Sequence, residues 1–249
     1  MTTYYAILID GDNENTLGGA CSRDLWNISK KLLNDLPILP TNIHTFFHDL
    51  PSDRYVKKIQ ELEITNTRSN HLANIKNCFD YIISMSKLTP TVIIFHYSGH
   101  GYQVPDDNGD EIDGMDEIFL GHTMRDDYIW DNLVSLLPKS AHIISFMDAC
   151  HSGSGMDMPY MWNGNSWILA KKNNYEAKCT GYSLSACNDV QCASQDIGET
   201  TGFAGSLTAG ICDCCNLKDI IYQPFLIHQL LAERLRKLHQ NVELYSVQK

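Results

Sequence analysis

The sequence predicts an α/β fold with a mostly parallel central sheet flanked by helices. Three observations predict it. Two runs, Thr91-Val92-Ile93-Ile94-Phe95-His96-Tyr97 and His142-Ile143-Ile144-Ser145-Phe146-Met147, are largely apolar on both faces, as central parallel strands are. Segments with apolar residues at helical spacing alternate with such strands along the chain, the pattern of crossover connections. The length of 249 residues, 43% hydrophobic and 20% charged, suits one domain of this kind or two small ones.

In chain order, Tyr4 to Ile9 reads as a buried strand that ends in the turn-rich Asp10-Gly11-Asp12-Asn13. Cys21 to Leu36 carries Leu25, Ile28, Leu32, Leu33 and Leu36 at helical spacing and stops before Pro37. Ile43 to Phe47 is a short strand, and Asn70 to Leu88 a helix with Leu72, Ile75, Phe79, Ile82 and Ile83 on one face. After the strand at 91–97, the Asp- and Gly-rich stretch from Tyr102 to Asp116 reads as a loop, Glu117 to Leu120 as a short strand and Asp127 to Leu137 as a helix. The strand at 142–147 leads into Asp148-Ala149-Cys150. Met156 to Lys178 reads as a polar, irregular connection and the one seam between a larger and a smaller unit. Tyr182 to Cys187 is a further strand, followed by helices near 205–211 and 224–239.

The formal net charge of −11 argues against a general nucleic-acid binder, which would show a basic stripe. It is compatible with a basic substrate or a divalent cation. No apolar run approaches the roughly 18 residues of a membrane span. The first apolar run has no basic segment before it and stops at Asp10, so neither a secretory leader nor a membrane role is expected, and a cytoplasmic location is. Nine cysteines at irregular spacing predict reduced thiols rather than a disulfide framework. Cys212-Asp213-Cys214-Cys215 lacks the paired Cys-x-x-Cys halves of a structural zinc site.

Chemistry concentrates at two strand ends. In open α/β sheets, binding groups collect beyond the carboxyl ends of strands. Here one such end is Ser98-Gly99-His100-Gly101 and the other Asp148-Ala149-Cys150-His151-Ser152-Gly153. A thiol is a strong nucleophile only as thiolate, so Cys150 needs a proton acceptor, and His100 on a neighbouring strand end would supply one.

Those residues resemble the two catalytic motifs of metacaspases, with the histidine 50 residues before the cysteine, a spacing also typical of caspases. The loop from Asp106 to Glu117 resembles the acidic loop of type I metacaspases. Gly19-Ala20-Cys21-Ser22-Arg23-Asp24, Asp157-Met158-Pro159-Tyr160 and Ser185-Ala186-Cys187-Asn188-Asp189-Val190-Gln191 are similar to further family segments, in family order. The resemblance implies a caspase-like three-layer sandwich built from a large-subunit-like region (1–160), a connecting loop (161–180) and a small-subunit-like region (181–249). It implies a cysteine endopeptidase cleaving after Arg or Lys, with His100 and Cys150 as dyad and the N–H groups of Gly101 and Cys150 as oxyanion donors. Cys21, Asp24, Ser98 and Asp148 match the family's pocket for the basic side chain, which two carboxylates would hold by charge-assisted bonds; Asp148 as a buried capping carboxylate stays open.

The resemblance further implies calcium, with Asp116, Asp126, Asp127 and Asp157 as ligands and Asp113 as an alternative to Asp116. It implies peptide substrates and a monomer, and Lys171, Lys172 and Lys178 stand as self-cleavage candidates. A catalytically silent caspase-like binding module is the competing class, and a legumain-like peptidase another; the intact His100 and Cys150 speak against the first.

Overall fold

The computed structural model describes residues 1–14, 16–48, 54–172, 176–188, 191, 193–198 and 202–249, with the backbone alone at 195–197, 202 and 203. Its strands are β1 Thr3–Gly11, β2 Ile43–Phe47, β3 Asn66–Ser69, β4 Thr91–Gly99, β5 Gly101–Pro105, β6 Met115–Phe119, β7 Met124–Arg125, β8 Ala141–Asp148, β9 Tyr160–Trp162, β10 Trp167–Leu169, β11 Thr180–Ser185, β12 Gln195–Gly198, β13 Gly202–Gly205 and β14 Glu243–Ser246. Its α-helices are α1 Ala20–Asp35, α2 Arg54–Gln60, α3 Leu72–Ser86, α4 Asp126–Asn132, α5 Ser206–Cys214, α6 Leu217–Tyr222 and α7 Pro224–Leu235.

Among the described residues the main sheet has nine strands in the order β10-β9-β14-β11-β8-β4-β1-β2-β3. The six from β11 to β3 run parallel; β14, β9 and β10 add antiparallel pairs at one end. Strand alternation divides the core in two. Ala6, Leu8, Ile94, Ile144, Phe146 and Leu184 face α1, α2, α5, α6 and α7, while Ile7, Ile9, Ile93, Phe95, Ile143 and Met147 face α3 and α4. Each fully buried Leu, Ile, Phe or Met among them contributes about 1.5–3 kcal/mol relative to exposure. The result is the predicted three-layer α/β sandwich.

Several elements differ from the sequence-based expectation. The stretch read as a loop after His100 begins and ends in the antiparallel pair β5–β6, so only its acidic tip is irregular. The helix expected from 127 to 137 ends at Asn132 and continues as a 3₁₀ turn, Val134–Leu136. The connection from 156 to 178 contains the β9–β10 hairpin, which is part of the main sheet. Its signal was present: Asn163-Gly164 is a hairpin dipeptide, and Gly164 takes φ 96°, where glycine is unstrained. Trp162 and Trp167 pair across the two strands at 5.5 Å and meet Phe225 of α7. Asp189 and Val190, within the segment read as similar to the family's small subunit, lie outside the described residues, as does Cys192.

The parallel register fixes where the chemistry goes. Asp10 pairs with Ser98 and Gly11 with Gly99; Ser98 in turn pairs with Asp148. The chain therefore leaves β1, β4 and β8 side by side at one edge of the sheet, the crevice where α/β folds bind ligands.

Candidate active site

His100 and Cys150 each follow a paired residue, Ser98 and Asp148, by two positions. The two strand ends are in close main-chain contact. A Cβ on Gly101 would fall 2.0 Å from the Cys150 carbonyl oxygen, so this approach requires glycine. His151, next to Cys150, has φ 50°, a strained left-handed turn for a non-glycine residue.

A cavity of about 60 Å³ opens at these ends, and Cys21, Asp24, Ser98, His100, Asp148 and Cys150 all line it. The sequence had singled out each of these six. Ala193, Ser194 and Gly205, which the sequence had not singled out as site residues, line the cavity as well.

Asp24 and Asp148 form the floor, 0% and 5% exposed. Asp24 accepts the Ser98 hydroxyl at 2.7 Å and the Gly205 N–H at 3.1 Å. Asp148 accepts the N–H and hydroxyl of Thr208 at 2.8 and 2.7 Å. Thr208 also meets the buried His96 ring at 2.9 Å. Burial pushes both carboxyls above the ordinary range, and for Asp24 the neighbouring Asp148 charge adds to it. Asp148 is therefore both a capping acceptor for the start of α5 and a pocket carboxylate.

The surroundings of His100 were not legible in the sequence. Its Nε2 lies 2.7 Å from the Thr16 hydroxyl and 3.5 Å from the Asp12 carboxylate. Asp12 is itself held by the N–H groups of Thr16 and Leu17, both at 2.9 Å. The buried Tyr97 hydroxyl donates to the His100 carbonyl at 2.7 Å, and Tyr102 stacks beside the imidazole with centroids 6.0 Å apart.

A second cluster forms where the acidic loop meets α4 and the segment after Cys150. Carboxylate oxygens of Asp110, Asp127 and Asp157 lie within 4.8 Å of one another, as do those of Glu111, Glu117 and Asp126. Of the four expected calcium ligands, Asp126, Asp127 and Asp157 belong to these groups. Asp116 is buried and groups with Asp107 and Asp127, but it pairs with Arg125. Asp113 is exposed and in none of the groups among the described residues. Asp110 and Glu111 were missed, because two acidic residues in an acidic loop read as solvated. Burial and mutual repulsion push Asp126 and Asp157 up, and Asp127 up to about 6. Both oxygens of Asp110 are buried without a hydrogen-bond donor among the described residues, so the donor set fits a hard divalent cation, which seeks six to eight oxygens. Lys171, expected as a cleavable lysine, is instead fully buried against this cluster; Lys172 and Lys178 are exposed.

Comparison with known proteins bears on what this arrangement is. The chain is 37% identical over 133 residues to metacaspase-2 of Arabidopsis thaliana, covering 47% of this chain and 32% of the relative. It is 30% identical over 173 residues to metacaspase-1 of Cryptococcus neoformans, covering 67% of this chain and 34% of the relative. These matches thus span about a third of the relatives' own length. Among solved structures, protein GSU0716 from Geobacter sulfurreducens superposes with a TM-score of 0.61 at 18% identity, covering 99% of this chain and 94% of that one, a likeness of fold. The family model for the metacaspase, peptidase C14 domain matches residues 5–159, which take in both strand ends and the acidic loop between them, and the chain accordingly belongs to the metacaspase family.

Proposed function

We propose that the chain is a cysteine endopeptidase that cleaves on the carboxyl side of Arg or Lys, with Cys150 as nucleophile and His100 as its proton-transfer partner. The observation that carries this reading is one cavity lined by that thiol, that imidazole and two buried carboxylates together. A guanidinium or ammonium entering it meets Asp24 and Asp148, whose charged forms burial disfavours until a cation arrives.

In the chemical steps, His100 accepts the Cys150 proton and the thiolate attacks the scissile carbonyl carbon. The N–H groups of Gly101 and Cys150 stabilise the oxyanion, at about 3 kcal/mol per donor. Collapse breaks the C–N bond as His100 gives its proton to the leaving amine. His100 then takes a proton from water, hydroxide attacks the thioester, and the carboxylate product leaves with the thiol restored. With Nε2 engaged by Thr16 and Asp12, Nδ1 is the nitrogen that exchanges the proton, and Thr16 and Asp12 hold the ring in that orientation. Asp12→Asn is expected to lower kcat roughly tenfold to a hundredfold with KM little changed. A variant with wild-type kcat and an unshifted pH profile removes Asp12 from this role.

Asp110, Asp126, Asp127 and Asp157 are the residues that would hold a calcium ion, with Asp116 at the rim. Bound there, the ion supplies positive charge that offsets the repulsion among these carboxylates and ties the acidic loop to the segment that follows Cys150.

The test is hydrolysis of fluorogenic peptides ending in Arg, Lys or Asp, in calcium or in chelator. Calcium-dependent release after Arg and Lys, with none after Asp, is the expected result. Cleavage after Asp, or none under any condition, overturns the reading.

A further inference from the structure

Lys171 is fully buried, while Lys172 beside it is exposed. Its ammonium contacts Glu111 and Asp157 directly and lies 3.7 Å from Asp126 and 3.9 Å from Asp110. The main chain reinforces this seat. Lys171 forms a β-bridge with Glu111, the Lys172 N–H donates to the Asp110 carbonyl at 2.7 Å, and the Ala170 N–H donates to Pro159 at 2.8 Å. The segment after β10 is thus clasped to the acidic loop by both its side chain and its backbone.

One positive charge faces four buried carboxylates. An ammonium has three donors and cannot satisfy them. Both oxygens of Asp110, and the Asp157 oxygen turned away from Lys171, lack a hydrogen-bond donor among the described residues. A cluster left this short of positive charge favours a partner of higher charge and coordination number. Such a partner and Lys171 would need the same oxygens, and two cations at that separation repel.

We propose that Lys171 is an internal counter-ion that calcium displaces, so that ion binding and release of the 170–172 segment are one event. This rests on the calcium reading of the same cluster. The event has a chemical consequence. A bond following a basic side chain, closed while that side chain is buried, becomes a substrate for an enzyme specific for lysine. Calcium then acts on the segment to be cut as well as on the protein that holds it.

Two measurements test this. Wild-type protein is digested briefly with a lysine-specific protease, with calcium or with chelator, and the fragments are weighed by mass spectrometry. Calcium binding to wild type and to Lys171→Met is measured by calorimetry. The fragment ending at Lys171 is expected to appear about tenfold faster with calcium, and the variant to bind calcium about tenfold more tightly, because no internal cation has to be expelled. Calcium binding with no change in the Lys171 cut shows that the ammonium stays in place and overturns the displacement while leaving the calcium site standing. Equal or weaker binding by a folded Lys171→Met does the same. No calcium binding by wild type overturns the calcium reading and the displacement with it. If the variant does not fold, the wild-type digestion decides alone.

Discussion

Cys150→Ala is expected to lower kcat/KM by about 10⁴-fold or more while leaving the fold unchanged. The substitution removes one sulfur from a half-buried position at the lip of the cavity and keeps the Cys150 main chain. The contacts that bring the strand ends together are backbone contacts, such as the Gly101 approach to the Cys150 carbonyl, and alanine preserves them. Neighbouring thiols offer no substitute. Cys21 lines the same cavity but is buried beside Asp10 and Asp24, which holds its thiol well above the ordinary range. Cys187 is pushed up to about 12, chiefly by burial. Peptide hydrolysis by purified Cys150→Ala, at a rate above the background of a His100→Ala preparation, would falsify the nucleophile assignment.

Asp148→Asn is expected to have opposite effects on activity and stability. Two carboxylates share the pocket floor, and burial raises Asp148 to about 6. A folded value above the unfolded one, near 3.9 for aspartate, means that the folded state binds more protons than the unfolded state between them. The contribution to stability is therefore absent below about pH 4, grows unfavourable as pH rises to about 6, and stays so above it. An amide at 148 keeps an acceptor for Thr208 and removes that charge. The variant should melt higher than wild type at pH 8, by roughly 2–4 °C for each kcal/mol regained, and show no such gain at pH 4. Its kcat/KM for Arg peptides should fall about a hundredfold, because the guanidinium loses one of two charged partners. For wild type, KM for Arg peptides should decrease from pH 5 to pH 7 as Asp148 gives up its proton to pair with the substrate. Unchanged kcat/KM together with an unchanged melting temperature at pH 8 would remove Asp148 from the substrate pocket.

Much of this was legible in the sequence. The strands at 4–9, 91–97 and 142–147 are apolar on both faces, so their place in the centre of a parallel sheet follows from composition. Once they lie side by side, the motifs at their ends must converge, which is why all six predicted cavity residues meet. Edge elements carried weaker signals. β3 is Asn-Thr-Arg-Ser, with no apolar residue to set a period, and α2 is seven residues long. β14 is short and joins the sheet only through its neighbours β11 and β9. In the site, the roles of Asp12 and Thr16 were missed, and Lys171 was read as a cleavable lysine instead of a buried one, because nothing local marks these roles. Ala170-Lys171-Lys172 lies in a stretch that reads as a polar, irregular connection, and only the fold carries Lys171 to a loop 60 residues upstream.

The order of the main sheet has one more consequence. β14 and β11, both after residue 178, lie between β9 and β8, both before residue 171. A break anywhere from 171 to 178 divides the polypeptide but not the hydrogen-bond ladder that runs from β9 through β14 and β11 to β8. The two pieces would migrate apart in denaturant and together in its absence, like dovetailed timbers whose shared nail has been drawn. Cutting this chain would alter its connectivity without altering its composition, and what the cut frees is the slack at the joint, not a fragment.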